Sequence, residues 1–336
     1  MGKTVVEHMW HQKTPHNKIK QALDAGKFPI KLRLHELLCP GDILVFTPTL
    51  TCLHEQYKGL FETEMFCNHP EIFDNNPYVV KHQANNEVID VWLSYPLVNR
   101  SNQETNNFME GYCRHLESTI GMTLRMTKNK PMVYLTDVEK REKPFKFPYA
   151  LINSGWKNDY TTKSYPHEYY REIVRSFPDI KFIQIGMTAP GHNHKPLDLP
   201  NVTSLFDKTN IRDLLILASQ CAFGVGPITA LLHCCAAFDK NYFCTGNASE
   251  PMWWSQYHNL HKYNRIGLYK CALNQSCWKT RVSAINDGQD QGKRMCELPV
   301  YVKEENYTFC QCSLDIDPQM IVEDIRTGIK NGGIQL

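Results

Sequence analysis

Apolar and basic side chains alternate from Pro29 to Leu34, the two-residue period of a half-exposed strand. A second strand is predicted at Glu62–Cys67 and a third, more apolar, at Val88–Leu93, with a polar Asn/Pro loop around Asp74–Pro77 between them. Between the first two strands, Cys39-Pro40-Gly41-Asp42 reads as a turn and Pro48 as the first turn of a helix that ends near Gly59. Phe108, Tyr112, Leu116 and Ile120 recur every fourth residue and lead into Gly121, which predicts an amphipathic helix closed by a glycine. Residues 122–147 are dominated by Lys, Arg and Pro, and KREKPFKFP reads as a linker.

After the linker the alternation starts again. Strands are predicted at Tyr149–Ser154, Lys181–Ile185, Cys221–Val225 and Tyr242–Thr245, with helices at Pro166–Phe177, Asn210–Ser219 and Thr229–Phe238. Strands alternating with helices imply parallel sheets and right-handed crossovers. The fold class is therefore α/β: two facing Rossmann-like, doubly wound domains, over residues 29–146 (with the linker) and 147–336, behind an extension over 1–28. Ligands in such sheets sit at the carboxyl ends of the strands, which predicts a cleft between the domains.

A length of 336 residues suits two domains, and 42% hydrophobic with 21% charged residues is ordinary for a water-soluble globular chain. The net charge of +2 selects no class of partner, but the first 35 residues carry six lysines and Arg33 against Glu7 and Asp24. That stretch reads either as a solvated basic arm or as a contact surface for an anionic acceptor. No run approaches the ~18 apolar residues of a bilayer span, and Met1–Ala25 has no signal-peptide core. The expected location is the cytoplasm, where thirteen cysteines argue for thiols or a metal site rather than a disulfide scaffold.

Three segments carry candidate chemistry. In CAFGVGPITALLHCCAAF, residues 221–238, a strand, a tight turn and a helix start bring backbone N–H groups and the positive helix end to one point. That reads as a seat for phosphate, with Thr229 and His233 beside it; the alternative is a buried α/β crossover whose histidine is satisfied in the core. In NSGWKNDYTTKSYP, Lys157, Thr161, Thr162 and Lys163 lie between a strand and a helix, where hydroxyls and a lysine suit a diphosphate. Gly186 and Met187 end the next strand, where a glycine lets a flat base approach the backbone. In the first domain, Asp42 follows a strand end, where partial burial would bring a carboxylate into a general base's working range; the alternative is a turn aspartate bonded to its own backbone. Gly41, Lys31 and Arg33 are the acceptor-side candidates around it. There is no GxGxxG and no GxxxxGK[ST], so neither a dinucleotide fingerprint nor a P-loop is supported.

Taken in order, these segments resemble the ADP-heptose:lipopolysaccharide heptosyltransferases and their relatives, inverting glycosyltransferases of the GT-B fold. The family's early Gly-Asp and helix-starting Pro are similar to Gly41-Asp42 and Pro48, and the resemblance implies that Asp42 is the base. Its Thr/Lys loop is similar to Thr162-Lys163-Ser164-Tyr165-Pro166, which implies that Lys163 binds donor phosphate. Its Asp-Ser/Thr-Gly-Pro-x-His-x-Ala-Ala motif is similar to Thr229 through Ala237, except that Ile228 stands where the aspartate does and Gly-Pro precedes Thr229. The resemblance makes 29–146 the acceptor side and 147–336 the donor side. It implies a single displacement from a nucleotide-diphosphate sugar with no divalent metal required, the leaving diphosphate being stabilised by Lys163, Thr229, His233 and the helix end.

The acceptor is left open between a lipopolysaccharide-core-like saccharide and, as in bacteriophage-type DNA glycosyltransferases, a hydroxymethylated base that the basic N-terminus would help to hold. A nucleotide-sugar 2-epimerase and a non-catalytic nucleotide-binding protein are the readings from other classes. Near the end of the chain, Cys271, Cys277, Cys296 and Cys312, with Cys310, could hold a structural zinc; buried thiols and disulfides are the alternatives. Met252, Trp253, Trp254 and Tyr257 could stack on a sugar or base, or pack between the domains.

Overall fold

The computed structural model describes residues 5–83, 87–93, 106–157, 163–246, 253–263 and 296–336. The chain forms two compact units, one of residues up to 93 together with 106–136, the other running from 137 to the end.

In the first unit, β1 (Ile30–Glu36) lies between β2 (Phe61–Cys67) and β3 (Ile89–Trp92), all parallel. The alternation read from the sequence holds: Ile30, Leu32, Leu34 and Glu36 are buried, while Lys31, Arg33 and His35 are half-buried. The crossover helix α2 runs over Pro40–Gln56, so Pro48 lies inside it and does not start it. The start moves because Pro40 occupies a first-turn position, where its missing N–H costs nothing. Asp42, three residues past the cap, then accepts from Cys39 N–H at 3.0 Å. Pro48 deprives the Leu44 carbonyl of its helical donor, and the Thr47 hydroxyl supplies one at 2.7 Å. Thr47 Oγ1 also accepts from Met132 N–H at 2.7 Å.

That last bond belongs to a wider correction. Residues 122–135, expected as linker, are fastened along α2: Gln56 bonds both Arg125 O and Arg125 N–H, at 2.7 and 3.0 Å, and Leu124 and Leu135 are buried. Helix α3 (Phe108–Ile120) matches its expected bounds, with Asn107 and Glu110 as a reciprocal cap and Gly121 in the left-handed region at φ 69°. Helix α1 (Val5–Asp24) replaces the expected arm. Ile19 on it is fully buried, and the His16 ring sits so close to Gly121 that a Cβ there would lie 2.4 Å from it.

The second unit opens with α4 (Asp137–Arg141), tied to α6 (Ile211–Gln220) by a two-pronged Glu139–Arg212 pair, both distances 2.7 Å. Its six-stranded sheet comprises β4 (Tyr149–Ile152), β6 (Lys181–Gln184), β8 (Val202–Ser204), β9 (Phe223–Gly226), β10 (Asn241–Cys244) and β11 (Leu260–Lys262). The strands pair in parallel in the order β8-β6-β4-β9-β10-β11. By chain order that is 3-2-1-4-5-6, the doubly wound arrangement, with its reversal point between β4 and β9. Helix α5 (His167–Arg175) follows β4, α6 precedes β9, and α7 (Ala230–Ala237) follows β9. Ile152, Phe182, Phe223, Val225 and Phe243 form the core together with Ile321 and Ile325 of the C-terminal helix Pro318–Lys330. Two small elements were not anticipated: the ribbon of β5 (Trp156–Lys157) with β7 (His192–Asn193), and the hairpin of β12 (Pro299–Val302) with β13 (Tyr307–Cys310). Among the described residues no helix is long and apolar enough to cross a membrane.

Candidate functional site

At the reversal point of the second sheet, Asn153 directly follows β4 and Gly226 ends β9, and the two strand ends remain bonded through Asn153 N–H to Val225 O at 2.9 Å. The Asn153 side chain is buried, and both its amide nitrogen and its oxygen are hydrogen-bonded. Its Nδ2 donates to Thr229 Oγ1 at 3.2 Å, and its Oδ1 accepts from Gly155 N–H at 3.1 Å and from His194 Nε2 at 3.2 Å. Thr229 is the N-cap of α7, yet its side chain does not cap the helix; the hydroxyl is turned to Asn153 instead. The first amides of α7 therefore lack the usual side-chain acceptor, the condition under which a helix end favours an anion.

His233, on the first turns of α7, is buried and its Nδ1 lies 2.7 Å from the Tyr257 hydroxyl. Burial lowers its pKa to about 3, and the nearby Lys163 ammonium adds to the shift, so the ring is neutral at physiological pH. Lys163 therefore lies close enough to act electrostatically on the His233 ring. Thr162 and Thr161 lie outside the described residues, while Lys157 is exposed on β5. Trp254 and Tyr257 are buried in the second unit, Tyr257 against His233; Met252 lies outside the described residues.

Gly186 does admit a ring to the backbone, but the ring is the protein's own. A Cβ at Gly186 would lie 2.3 Å from the His194 imidazole, and one at Gly155 would lie 2.1 Å from it. His194 therefore covers the ends of β4 and β6, and Met187 beside it is 51% exposed. Burial, then the neighbouring His192, lowers the His194 pKa to about 4, and its Nδ1 is buried without a partner. Asn153 and His194 were both missed in the sequence, where no local pattern marks them.

In the first unit, Asp42 sits in the first turn of α2 with Gly41 buried beside it. Lys31 and Arg33 point from the opposite, half-open face of β1, and Arg33 is held by Glu64 at 2.7 Å and Asp90 at 3.6 Å. Arg33 is thus committed to carboxylates on its own sheet. The unanticipated residue is Glu36. It is buried, its oxygens accept from Leu38 N–H at 3.0 Å and Tyr112 O–H at 2.9 Å, and burial raises its pKa to about 7.

The Glu36 shift has a definite sign. Below pH 4.5 the carboxyl is protonated both folded and unfolded, and its contribution is full. Between pH 4.5 and 7 the unfolded chain ionises first, so stability falls by about 3 kcal/mol across that window. Glu36→Gln is expected to flatten that part of the pH profile and to exceed the wild type in urea stability at pH 8. Equal pH slopes in the two proteins would show that Glu36 is not held neutral.

None of the described cysteines is in a disulfide. Cys310 is buried and hydrogen-bonded to the thiols of Cys296 and Cys312, which with burial push its own pKa far up. Cys271 and Cys277 lie outside the described residues, and among those described no group of three or more His, Cys, Asp or Glu is arranged to hold a metal ion. The chain carries an Asp-x-Asp at Asp315-Ile316-Asp317, and both carboxylates serve local structure. Asp315 accepts from Gln311 Nε2 at 2.8 Å, and Asp317 caps the C-terminal helix through Gln319 N–H at 2.9 Å.

No protein-family model and no curated protein matches the sequence. Solved structures do share the fold. A glycosyl transferase family 9 protein from Veillonella parvula superposes with a TM-score of 0.59 at 12% identity, covering 89% of this chain and 96% of that one. Escherichia coli ADP-heptose LPS heptosyltransferase II gives 0.54 at 11% identity, covering 90% and 100%. The iron-containing heptosyltransferase TibC of enterotoxigenic E. coli, in complex with ADP-D-beta-D-heptose, gives 0.53 at 13% identity, covering 73% and 64%. The chain thus has the two-unit α/β fold of these glycosyltransferases.

Proposed function

We propose that the protein is an inverting glycosyltransferase, moving a sugar from a nucleotide-diphosphate donor to a hydroxyl of an acceptor saccharide. The observation that carries this reading is the uncapped N-terminus of α7 at the reversal point of the second sheet, with Lys163 and neutral His233 beside it. Its support from outside is the fold shared with heptosyltransferases, one of them seen with an ADP-sugar.

In this reading the second unit grips the donor diphosphate. Charge on the leaving group grows in the transition state, so donors aimed at it contribute most there. Lys163 supplies a full positive charge, and the α7 amides supply fixed dipoles. Neutral His233 has one N–H to give, and it lies on Nε2 in the tautomer whose Nδ1 accepts from the Tyr257 hydroxyl. Asn153 orients the Thr229 hydroxyl, and Met187 offers an exposed apolar surface to the base. The first unit supplies the general base, Asp42, which takes the proton of the attacking hydroxyl while the anomeric carbon inverts.

Incubation with a panel of ADP-, UDP-, GDP- and dTDP-sugars tests the donor half without knowledge of the acceptor. At a hundredfold excess over Kd the matching nucleotide adds about 2.7 kcal/mol to the folded state. A saturable rise in melting temperature for one nucleotide, with slow release of its sugar, is the expected result. A flat response to the whole panel overturns the reading.

A further inference from the structure

Parallel sheets are ordinarily covered on both faces, but the first unit leaves part of one face open. On that face the residues of β2, β1 and β3 form rows in register. One row is Glu64, Arg33 and Asp90; the next, toward the carboxyl ends, is Phe66, His35 and Trp92. Phe66 is 54% and Trp92 48% exposed, although Val91, next to Trp92 on β3, is buried. The connection from β2 to β3 crosses with no α-helix among its described residues. It passes Thr63, through Val80 N–H to Thr63 O, and Leu32, through the His82 ring.

The row is built rather than accidental. His35 stacks on Trp92 with centroids 4.3 Å apart at 16°, and lies 5.0 Å from Phe66. Its Nε2 is 2.7 Å from Asp90 Oδ1, its side chain is only 11% exposed, and its Nδ1 is buried with no partner. The imidazole is thereby a fixed wedge that holds two flat rings open to solvent, one on either side. Neighbouring strands are about 4.8 Å apart, so the rings flank a platform about 10 Å wide.

We propose that this face is a saccharide-binding surface. Aromatic rings held with an open face suit the C–H side of a pyranose, and the carboxylates of Glu64 and Asp90 are acceptors for its hydroxyls. The charge balance selects the class. With the adjoining Lys31–Glu62 pair included, Glu62, Glu64 and Asp90 outnumber Lys31 and Arg33 on this face, which disfavours a nucleic-acid backbone and an anionic bilayer but leaves a neutral sugar unaffected. The surface stands on the first unit alone and on neither Asp42 nor the donor seat, so it can fail while the transferase reading holds, and the reverse.

The test is a screen of the full chain on an array of neutral, amino and acidic oligosaccharides, followed by calorimetric titration of the best binder. Trp92→Ala and Phe66→Ala are each expected to weaken it about tenfold or more, with Phe147→Ala, an exposed ring in the second unit, unchanged. If Trp92→Ala melts well below the wild type, Phe66→Ser carries the comparison. Several results overturn the proposal. They are the absence of any bound oligosaccharide, binding indifferent to both rings, preferential binding of phosphatidylglycerol vesicles or duplex DNA, and a dimer in solution that Phe66→Ser separates.

Discussion

Gly226→Ala is expected to lower the melting temperature by about 10 °C and to abolish the thermal response to nucleotide. Gly226 is the last residue of β9 and has φ 154°, a backbone conformation L side chains rarely adopt. A Cβ there would lie 2.6 Å from the Asn153 carbonyl oxygen and 2.9 Å from the Tyr242 hydroxyl. The carbonyl is backbone of a central strand end, and Tyr242 O–H is bonded to Pro227 O at 2.8 Å, so neither yields cheaply. Backbone strain of about 1–3 kcal/mol adds to overpacking of about 1–3 kcal/mol. At roughly 2–4 °C per kcal/mol for a unit of this size, the two give the stated shift. Gly333→Ala, whose Cβ would meet nothing closer than 3.6 Å, is the control and should melt with the wild type. Equal melting of both variants would mean that the strand ends at the reversal point do not approach as described.

How much of this was legible follows from how local each cause is. The α3 helix was readable to its last residue because its apolar period, its Asn107 cap and Gly121 all lie within the segment. Helix α6, expected over Asn210–Ser219 and found over Ile211–Gln220, was readable to within a residue at each end, its Asn210 and Asp213 capping reciprocally. Helix α2 was started eight residues late because Pro48 looks like a start, and only its fold partner Thr47 shows how an interior proline is accommodated. Helix α1, with Pro15 inside and a polar sequence, has little to mark it; its packing of Ile19 and His16 is tertiary. The C-terminal helix was readable in principle from Asp317-Pro318, a cap followed by a first-turn proline. Within the proposed site, Thr229, His233 and Lys163 could be singled out because strand, turn and helix lie together in sequence. Asn153 was not, because its partners Thr229 and His194 are 76 and 41 residues away. Arg33 was taken as available to an acceptor because its carboxylates stand on two other strands, 31 residues away in the case of Glu64.

Asp42→Asn is expected to lower kcat by about 10²–10⁴-fold, the usual worth of a positioned general base, while leaving donor affinity unchanged. The substitution separates the cap that this side chain forms from the base role proposed for it. As a cap, Asp42 accepts from Cys39 N–H, and an asparagine oxygen can still accept that bond, so most of the ~0.5–2 kcal/mol of a cap survives. As a base, it needs a proton-accepting carboxylate, which asparagine removes. Turnover should therefore collapse with little change in melting temperature, measured against the donor-hydrolysis rate and the nucleotide thermal shift of the same preparation. Glu36 is the rival, since its pKa of about 7 is that of a working base. Its geometry argues against it: both oxygens are already bonded, to Leu38 N–H and Tyr112 O–H, and the side chain is buried. A buried carboxyl held neutral steadies the turn that carries Asp42; it does not reach a substrate. Glu36→Gln should accordingly keep most of the turnover that Asp42→Asn loses, and the opposite ranking would move the base from Asp42 to Glu36.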